Sequence, residues 1–254
     1  MVPQKLIKVI GFAATLIFGF SGSAIAAEQL PVLPFEAVYS LTKGMLAVGE
    51  TRHTLSHQND QITFRSVSRP KGIASWFVKD VIEESSELFV EQNRFYPLHY
   101  SRRQFGGKRK KNTQIQLDWN QLVAQTVHNG QSFEYPFPSN AQDKLMFQLQ
   151  IMADLSEGKT EWEIPVVKRH KITHYHVKAT AGKVIKTPYG EFDTIKVSRI
   201  LPPGVKEEKI IMWCSKQLGY LPVQIDFEDR KGITFHGYLK KLSGPIRQNL
   251  QQNQ

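Results

Sequence analysis

The sequence predicts a mainly β protein of the α+β class. It should be a large antiparallel sheet, bent or closed into a barrel-like shape, of roughly ten to twelve strands with one main helix packed against it. Three observations carry this. Apolar and polar residues alternate with a period of two through most of the chain, as a sheet with one buried and one wet face requires. Turn signals such as Asn129-Gly130 and Thr187-Pro188-Tyr189-Gly190 break the alternating runs at short intervals, which favours hairpins over crossover connections. A sustained helical stripe occurs in one segment, 140–157.

Taken in order, the N-terminus comes first. Lys5 and Lys8 precede the apolar run Val9–Phe20, and SGSAIAAEQ offers an Ala24-x-Ala26 cleavage site; together these are the parts of a secretory signal peptide over 1–26. The apolar run is shorter than the about 20 residues a spanning helix needs. The single cysteine, Cys214, lies far from the cleavage site and cannot be lipidated there. The expectation is an exported, soluble periplasmic protein, not a lipoprotein and without a transmembrane segment, mature from about Ala27. Loss of Lys5 and Lys8 takes the net charge from +10 to +8. Such a balance favours anionic partners. Export excludes nucleic acid as the natural one and leaves lipopolysaccharide, phospholipid headgroups and peptidoglycan carboxylates.

Residues 27–244 read as one β-rich domain, with no linker and no internal repeat. FEAVYSL sets Phe35, Ala37, Tyr39 and Leu41 on one face. KGIASWFV suggests a short helix near 71–78. DVIEESSELFV and RFYPLHYSRRQ turn about Gln92-Asn93, and TQIQLDW returns after Gly106-Gly107. In NAQDKLMFQLQIMADLSE, Leu145, Leu149, Met152 and Leu155 form a stripe that Phe147 and Ile151 widen; Ser139 and Gln142 fit a capping box and Gly158 a stop. This helix reads as amphipathic and long enough to cover a sheet. KITHYHVKA, EFDTIKVSRI, EKIIMWC, YLPVQIDFE and GITFHGYLKK are further strands, and Cys214 in its apolar run reads as buried. Residues 245–254 form a polar, disordered tail.

Candidate chemistry is sparse. SRRQFGGKRKK is the densest cationic run. Pairing about the Gln92-Asn93 turn brings Arg102 and Arg103 opposite Glu83 and Glu84 as structural ion pairs. That leaves Lys108, Arg109, Lys110 and Lys111 at a hairpin tip as a candidate contact for an anionic ligand. His174 and His176 share a strand face near His170, but no third and fourth ligand accompanies them, so no metal and no cofactor is expected. Glu83, Glu84 and Glu87 fall on different strand faces, which weighs against a glycosidase pair. No catalytic serine context, phosphate loop or dinucleotide fingerprint occurs, and the chain reads as non-enzymatic.

FEAVYSLTKGMLAVGET, RPKGIASWFVKDVIEESSELF, YPLHYSRRQFGGKRKKNTQIQLDW, QDKLMFQLQIMADL, TPYGEFDTIKVSRI and LGYLPVQIDFED follow one another in that order. In this succession the chain resembles the bacterial domain-of-unknown-function family 3108, a group of exported envelope proteins, over about residues 34–242. The resemblance implies a β-rich periplasmic domain with no established activity and no catalytic residues to carry over. The functional expectation is a binding or carrier protein in cell-envelope maintenance, holding a lipidic or other apolar or anionic ligand. The alternatives are a protein-protein interaction module of the envelope and, third, a cell-wall glycan hydrolase.

Overall fold

The structure is a computed structural model describing residues 30–246 other than 60, 73, 78 and 109. The predicted signal peptide, Arg109 and residues 247–254 lie outside the described residues. In chain order the elements are β1 (Phe35–Lys43), β2 (Leu46–Gln58), β3 (Gln61–Pro70), α1 (Ala74–Phe77), β4 (Val81–Glu91), β5 (Arg94–Phe105), β6 (Lys111–Asp118), β7 (Val123–His128), β8 (Gln131–Pro136) and α2 (Phe147–Ser156). There follow β9 (Glu161–Lys168), β10 (Lys171–Ala181), β11 (Ile185–Thr187), β12 (Gly190–Phe192), β13 (Ile195–Ile200), β14 (Lys209–Ser215), β15 (Leu221–Glu228) and β16 (Thr234–Ser243).

Fourteen strands form one sheet in the order β8-β7-β6-β5-β4-β3-β2-β1-β16-β15-β14-β13-β10-β9, and β11 and β12 form a separate ribbon. The class is as expected; the strand number exceeds the expected ten to twelve. The excess arises where short pieces read as one. EFDTIKVSRI splits into β12 and β13 because Thr194 turns inward, its hydroxyl donating to Lys183 O (2.6 Å) and its carbonyl accepting from Gly182 N (3.1 Å). Asn129 and Gly130 both have positive φ (50° and 84°), as a two-residue hairpin turn requires, and this closes β7 on β8. Register shifts at Val38/Tyr39, Leu41/Thr42, Glu87/Leu88 and Trp213/Cys214 are the bulges that let so wide a sheet bend.

The bend brings the two edges together. From β8, Tyr135 donates its hydroxyl to Lys168 O; from β7, Thr126 donates to Arg169 O; and the Phe133 and His170 rings lie 5.8 Å apart. The β9–β10 turn is thus fastened to the far end of the sheet. β9 finds its outer partner in the segment leading to the helix: Gln142 N donates to Pro165 O (2.9 Å) and Val167 N to Gln142 O (2.8 Å).

The helix is the main correction to the expected layout. It begins at Phe147, not near 140, and it packs against the sheet, as expected, from within the bend. Residues 140–146 are held extended and turned by the β9 bridge. The cap expected from Ser139 and Gln142 is not formed, since no side chain caps α2 at Met146; Asp143 instead closes the turn ahead of the helix, its carboxylate accepting from Leu145 N and Met146 N (both 2.7 Å). Phe147, Leu149, Ile151, Met152, Ala153 and Leu155 are all buried, so the helix is apolar nearly all round, and such a helix belongs inside. Leu149, Met152 and Ala153 pack with Phe35, Tyr39, Phe64 and Phe95 of one half of the sheet. Phe147, Ile151 and Leu155 pack with Trp162, Val177, Met212 and Cys214 of the other. α2 therefore fills the lumen. The expected short helix near 71–78 is the single turn α1. Ile246 is buried and donates its N–H to Pro34 O (3.2 Å), which ties the end of β16 to the start of β1.

Two buried ionisable groups in this interior oppose each other. Asp143 is 0% exposed, and burial pushes its carboxyl up to about 6 in spite of hydrogen bonds from Ser86 and two backbone N–H groups. Its neutral form is favoured, so the stability it contributes is complete below about 3.8 and is lost as the pH rises through about 6. His53, between the Tyr39 and Phe64 rings, is held neutral by burial down to about 4; its contribution is complete above about 6.5 and is lost as the pH falls through about 4. Each shift corresponds to roughly 3 kcal/mol. Chemical denaturation across pH 4 to 6.5 should give nearly level stability for the native chain. Asp143→Asn should make stability climb with pH, and His53→Asn should make it decline. Parallel profiles for all three would rule this pairing out.

Candidate functional site

Strict antiparallel alternation sends alternate connections to the same end of the sheet. One end carries the β1–β2 tip, the β3–β4 link with α1, the β5–β6 turn, Asn129-Gly130, the Arg169-His170 turn, residues 201–208 and residues 229–233. Inside that end, where α2 and its lead-in stop short of filling the lumen, a cavity of about 210 Å³ remains. Tyr100 and Arg102 line it from β5, Thr113 and Ile115 from β6, and His128 from β7. Lys144 reaches in from the helix lead-in, Lys168, Arg169, His170 and Lys171 from the fastened turn, and Glu207 and Arg230 from the loops.

This lining is cationic, and its own acids satisfy only part of it. Glu207 binds Arg199 at 2.5 Å and lies 3.9 Å from Lys168. Lys144 pairs with Glu208 at 2.9 Å, and Arg102 Nε is 3.7 Å from Glu84, which also accepts the Tyr100 hydroxyl at 2.6 Å. The protonation tendencies record the imbalance. Burial, with Arg199 and Lys144 nearby, holds the Lys168 ammonium below the usual lysine value although Glu207 pulls the other way. Partial burial, then Arg169, Lys111, Arg102 and His170, push His128 down. Burial works against the charge on Lys144, but Glu84 and Glu208 outweigh it and raise its affinity for the proton. Fixed cations converging on a small volume suit a phosphate, sulfate or carboxylate. Apart from Tyr100 and Ile115 its lining is made by charged and polar side chains, and its volume of about 210 Å³ is small.

Of the residues singled out from sequence, Arg102 and His170 line this mouth and the others fall around it or away from it. Arg102 stands opposite Glu84 and pairs with it, as counting along the hairpin predicts. Glu83 is opposite Arg103 in register, but its carboxylate goes instead to Arg65 (3.5 Å) and Arg69 (3.6 Å) of β3, while Arg103 lies over the Phe105 ring at 5.4 Å. The reason is that β3 presents two long arginines on the same outer face. Lys108, Lys110 and Lys111 are exposed; Lys110 and Lys111 line a separate shallow cleft of about 220 Å³ with Arg103 and Asn129. Gly106 and Gly107 sit where a Cβ would strike Lys79 O and the Asp80 carboxylate, so this turn is pinned to the β3–β4 link. Glu84 points inward while Glu87 lines the outer face with His99, so the three glutamates are not brought together. His174 is exposed and lies 3.2 Å from Glu163, and Cys214 is buried, which pushes its thiol up. Sequence reasoning missed Lys144, Lys168, Arg169, Lys171 and Arg230. The dense Lys168-Arg169-His170-Lys171 turn between two apolar strands was the one local signal.

A larger open groove of about 620 Å³ lies on the outer face of β4–β8, lined by Ser85, Gln114, Gln116, Gln125, Ser132 and Glu134 among others. Its only charged side chains are the carboxylates of Glu87 and Glu134, with His99 and Gln125 already bonded to them (3.2 Å each), so it gathers no cation excess like that of the mouth. No helix among the described residues is long and apolar enough to cross a membrane.

Comparison with known proteins agrees with the fold. Residues 37–237 match the family described as "Protein of unknown function (DUF3108)". Among solved structures the chain is similar to the crystal structure of a β-barrel-like protein of domain of unknown function DUF1849 from Brucella abortus. The TM-score is 0.54 and the identity 12%, over 85% of this chain and 99% of that one. No curated protein matches.

Fastening the β9–β10 turn to β7 and β8 shapes the mouth. Tyr135→Phe with Thr126→Val should cost about 2 kcal/mol in total and speed amide exchange selectively across residues 166–173. Exchange accelerated uniformly across the sheet would contradict a local fastening.

Proposed function

This chain belongs to the DUF3108 family, and we propose that it is a non-enzymatic binding protein of the cell envelope that holds an anionic group in the basic mouth of its curled sheet. The observation that carries the reading is the cation excess around the cavity of about 210 Å³, where Arg102, Lys144, Lys168, Arg169, Lys171 and Arg230 face Glu207 in the lining. The leader-like N-terminus supports an envelope location, where phosphate and carboxylate groups abound. Because α2 fills the lumen, the recognised part of any lipid would be its headgroup. Mouths of barrels are frequent ligand sites.

The mouth should respond to the charged group alone. At a free phosphate concentration a hundredfold above Kd, linkage predicts about 2.7 kcal/mol of stabilisation, or roughly 5–10 °C in Tm. The His128 ring, followed by NMR, should titrate at higher pH once phosphate is bound. Lys168→Glu with Arg230→Glu should remove both effects, and Lys108→Glu with Lys110→Glu should leave them. Glycerol phosphate and acetate, compared with inorganic phosphate, distinguish a headgroup from a carboxylate source. Absence of any shift, or a shift that survives in the Lys168/Arg230 variant, would refute the assignment.

A further inference from the structure

The end of the sheet that bears the mouth also bears the most exposed large apolar side chains among the described residues. Met45 is 102% exposed, Leu46 73% and Trp76 77%. The first two form the β1–β2 tip, where Gly44 turns at φ 58°. Trp76 stands on α1, which lies against β2, and the chain entering α1 is tied there: Lys71 N donates to Val48 O (3.3 Å) and the Lys71 ammonium pairs with Glu50. Hairpin tip and helical turn therefore make one projecting apex. The other tryptophans are held in the fold: Trp119 donates to Pro97 O, Trp162 to Asp154 and Trp213 to Asp226.

The connections at this end of the sheet, the apex's own and those of neighbouring strands, carry positive charge. Lys43, Lys79, Lys108, Lys110 and Lys231 belong to the same end, are exposed, and form no ion pair among the described residues. The acids of that end are already engaged. Glu50 binds Lys71 and Lys240, Asp80 accepts from Gln104, and Asp229 accepts from Lys231 N and Ile233 N. An exposed Trp-Met-Leu apex at an end that carries these lysines matches one surface in charge and polarity: an anionic bilayer, with apolar side chains entering the headgroup layer and lysines meeting phosphates. We propose that this apex docks the protein on an anionic phospholipid membrane and turns the basic mouth toward it. The docking does not depend on the mouth reading, because soluble phosphate tests the mouth and vesicles test the apex.

The test uses the processed, exported protein with vesicles of phosphatidylcholine alone or containing phosphatidylglycerol. Sedimentation should show binding to the anionic vesicles, weakened by salt. The emission of Trp76 should shift to the blue and be quenched by brominated acyl chains. Met45→Ser, Leu46→Ser and Trp76→Ser together should weaken binding by on the order of tenfold or more, and Lys43→Glu by roughly fivefold or more. Arg94→Glu with Lys216→Glu, at the opposite end, should change nothing. Equal binding by the triple variant, or no quenching of Trp76, would overturn the proposal. Failure to bind any vesicle, with a crosslinker at Leu46 trapping a protein, would overturn it in favour of a protein partner.

Discussion

A fourteen-stranded antiparallel sheet leaves two edges with unpaired backbone groups, and everything else in this protein depends on how those edges are satisfied. β8 and β9 do not pair with each other. The gap between them is bridged by the segment that leads into α2, and the decisive contacts are made by glutamine. Gln142 lends its backbone to β9. Its side chain donates to Phe95 O at 3.0 Å, while Phe95 N donates to Gln150 Oε1 at 2.9 Å. The ladder between β5 and β6 starts only at His99, so Phe95 has no strand on that side. Two side-chain amides supply the missing partners. A buried backbone group left without one would cost about 1–3 kcal/mol, so helix, sheet edge and curvature are fixed together.

That closure also decides what kind of ligand the molecule can take. A helix with apolar residues on every side must be surrounded, and once it is surrounded no apolar space of useful size is left. The cavity between Phe147, Tyr175 and Met212 is about 10 Å³, room for about one water and for no apolar ligand. Polar and charged groups are displaced to the mouth, where Lys144 follows immediately after the buried Asp143. The same chain segment therefore turns into the helix, bridges β9 and presents a cation to the cavity. Charge in the mouth follows from the way the lumen is plugged.

Much of the fold was legible locally. Period-two alternation located the strands, and the Gln92-Asn93 turn was enough to place Arg102 beside Glu84, because a hairpin's register follows by counting from its turn. The same count failed energetically for Glu83. A sheet residue has neighbours on two sides, and the β3 side, ten to twenty residues upstream in sequence, offered Arg65 and Arg69. The helix was recognised by its stripe but misplaced, because Ser139 and Gln142 imitate a capping box while tertiary contact with β9 takes Gln142 for another purpose. The mouth was not legible. Its residues run from Arg102 to Arg230, and only the meeting of the two sheet edges makes them neighbours.

The two functional features are linked through topology rather than contact. An antiparallel meander divides its connections evenly between two ends, and selection of sequence at those connections can differ without disturbing the ladder. Here one end gathers Lys168 through Lys171, Lys108, Lys110, Arg230 and Lys231 together with Met45, Leu46 and Trp76. The opposite end mixes Glu91, Asp118, Glu157 and Asp193 with Arg94, Lys159 and Lys216. Such polarity gains no packing energy and leaves like charges facing one another; after burial, the nearby Arg169, Lys111 and Arg102 add to the lowering of the His128 proton affinity. A fold under selection for stability alone would intersperse the signs. A charged and apolar end maintained at that cost is what a protein needs if it must meet an anionic surface in one orientation.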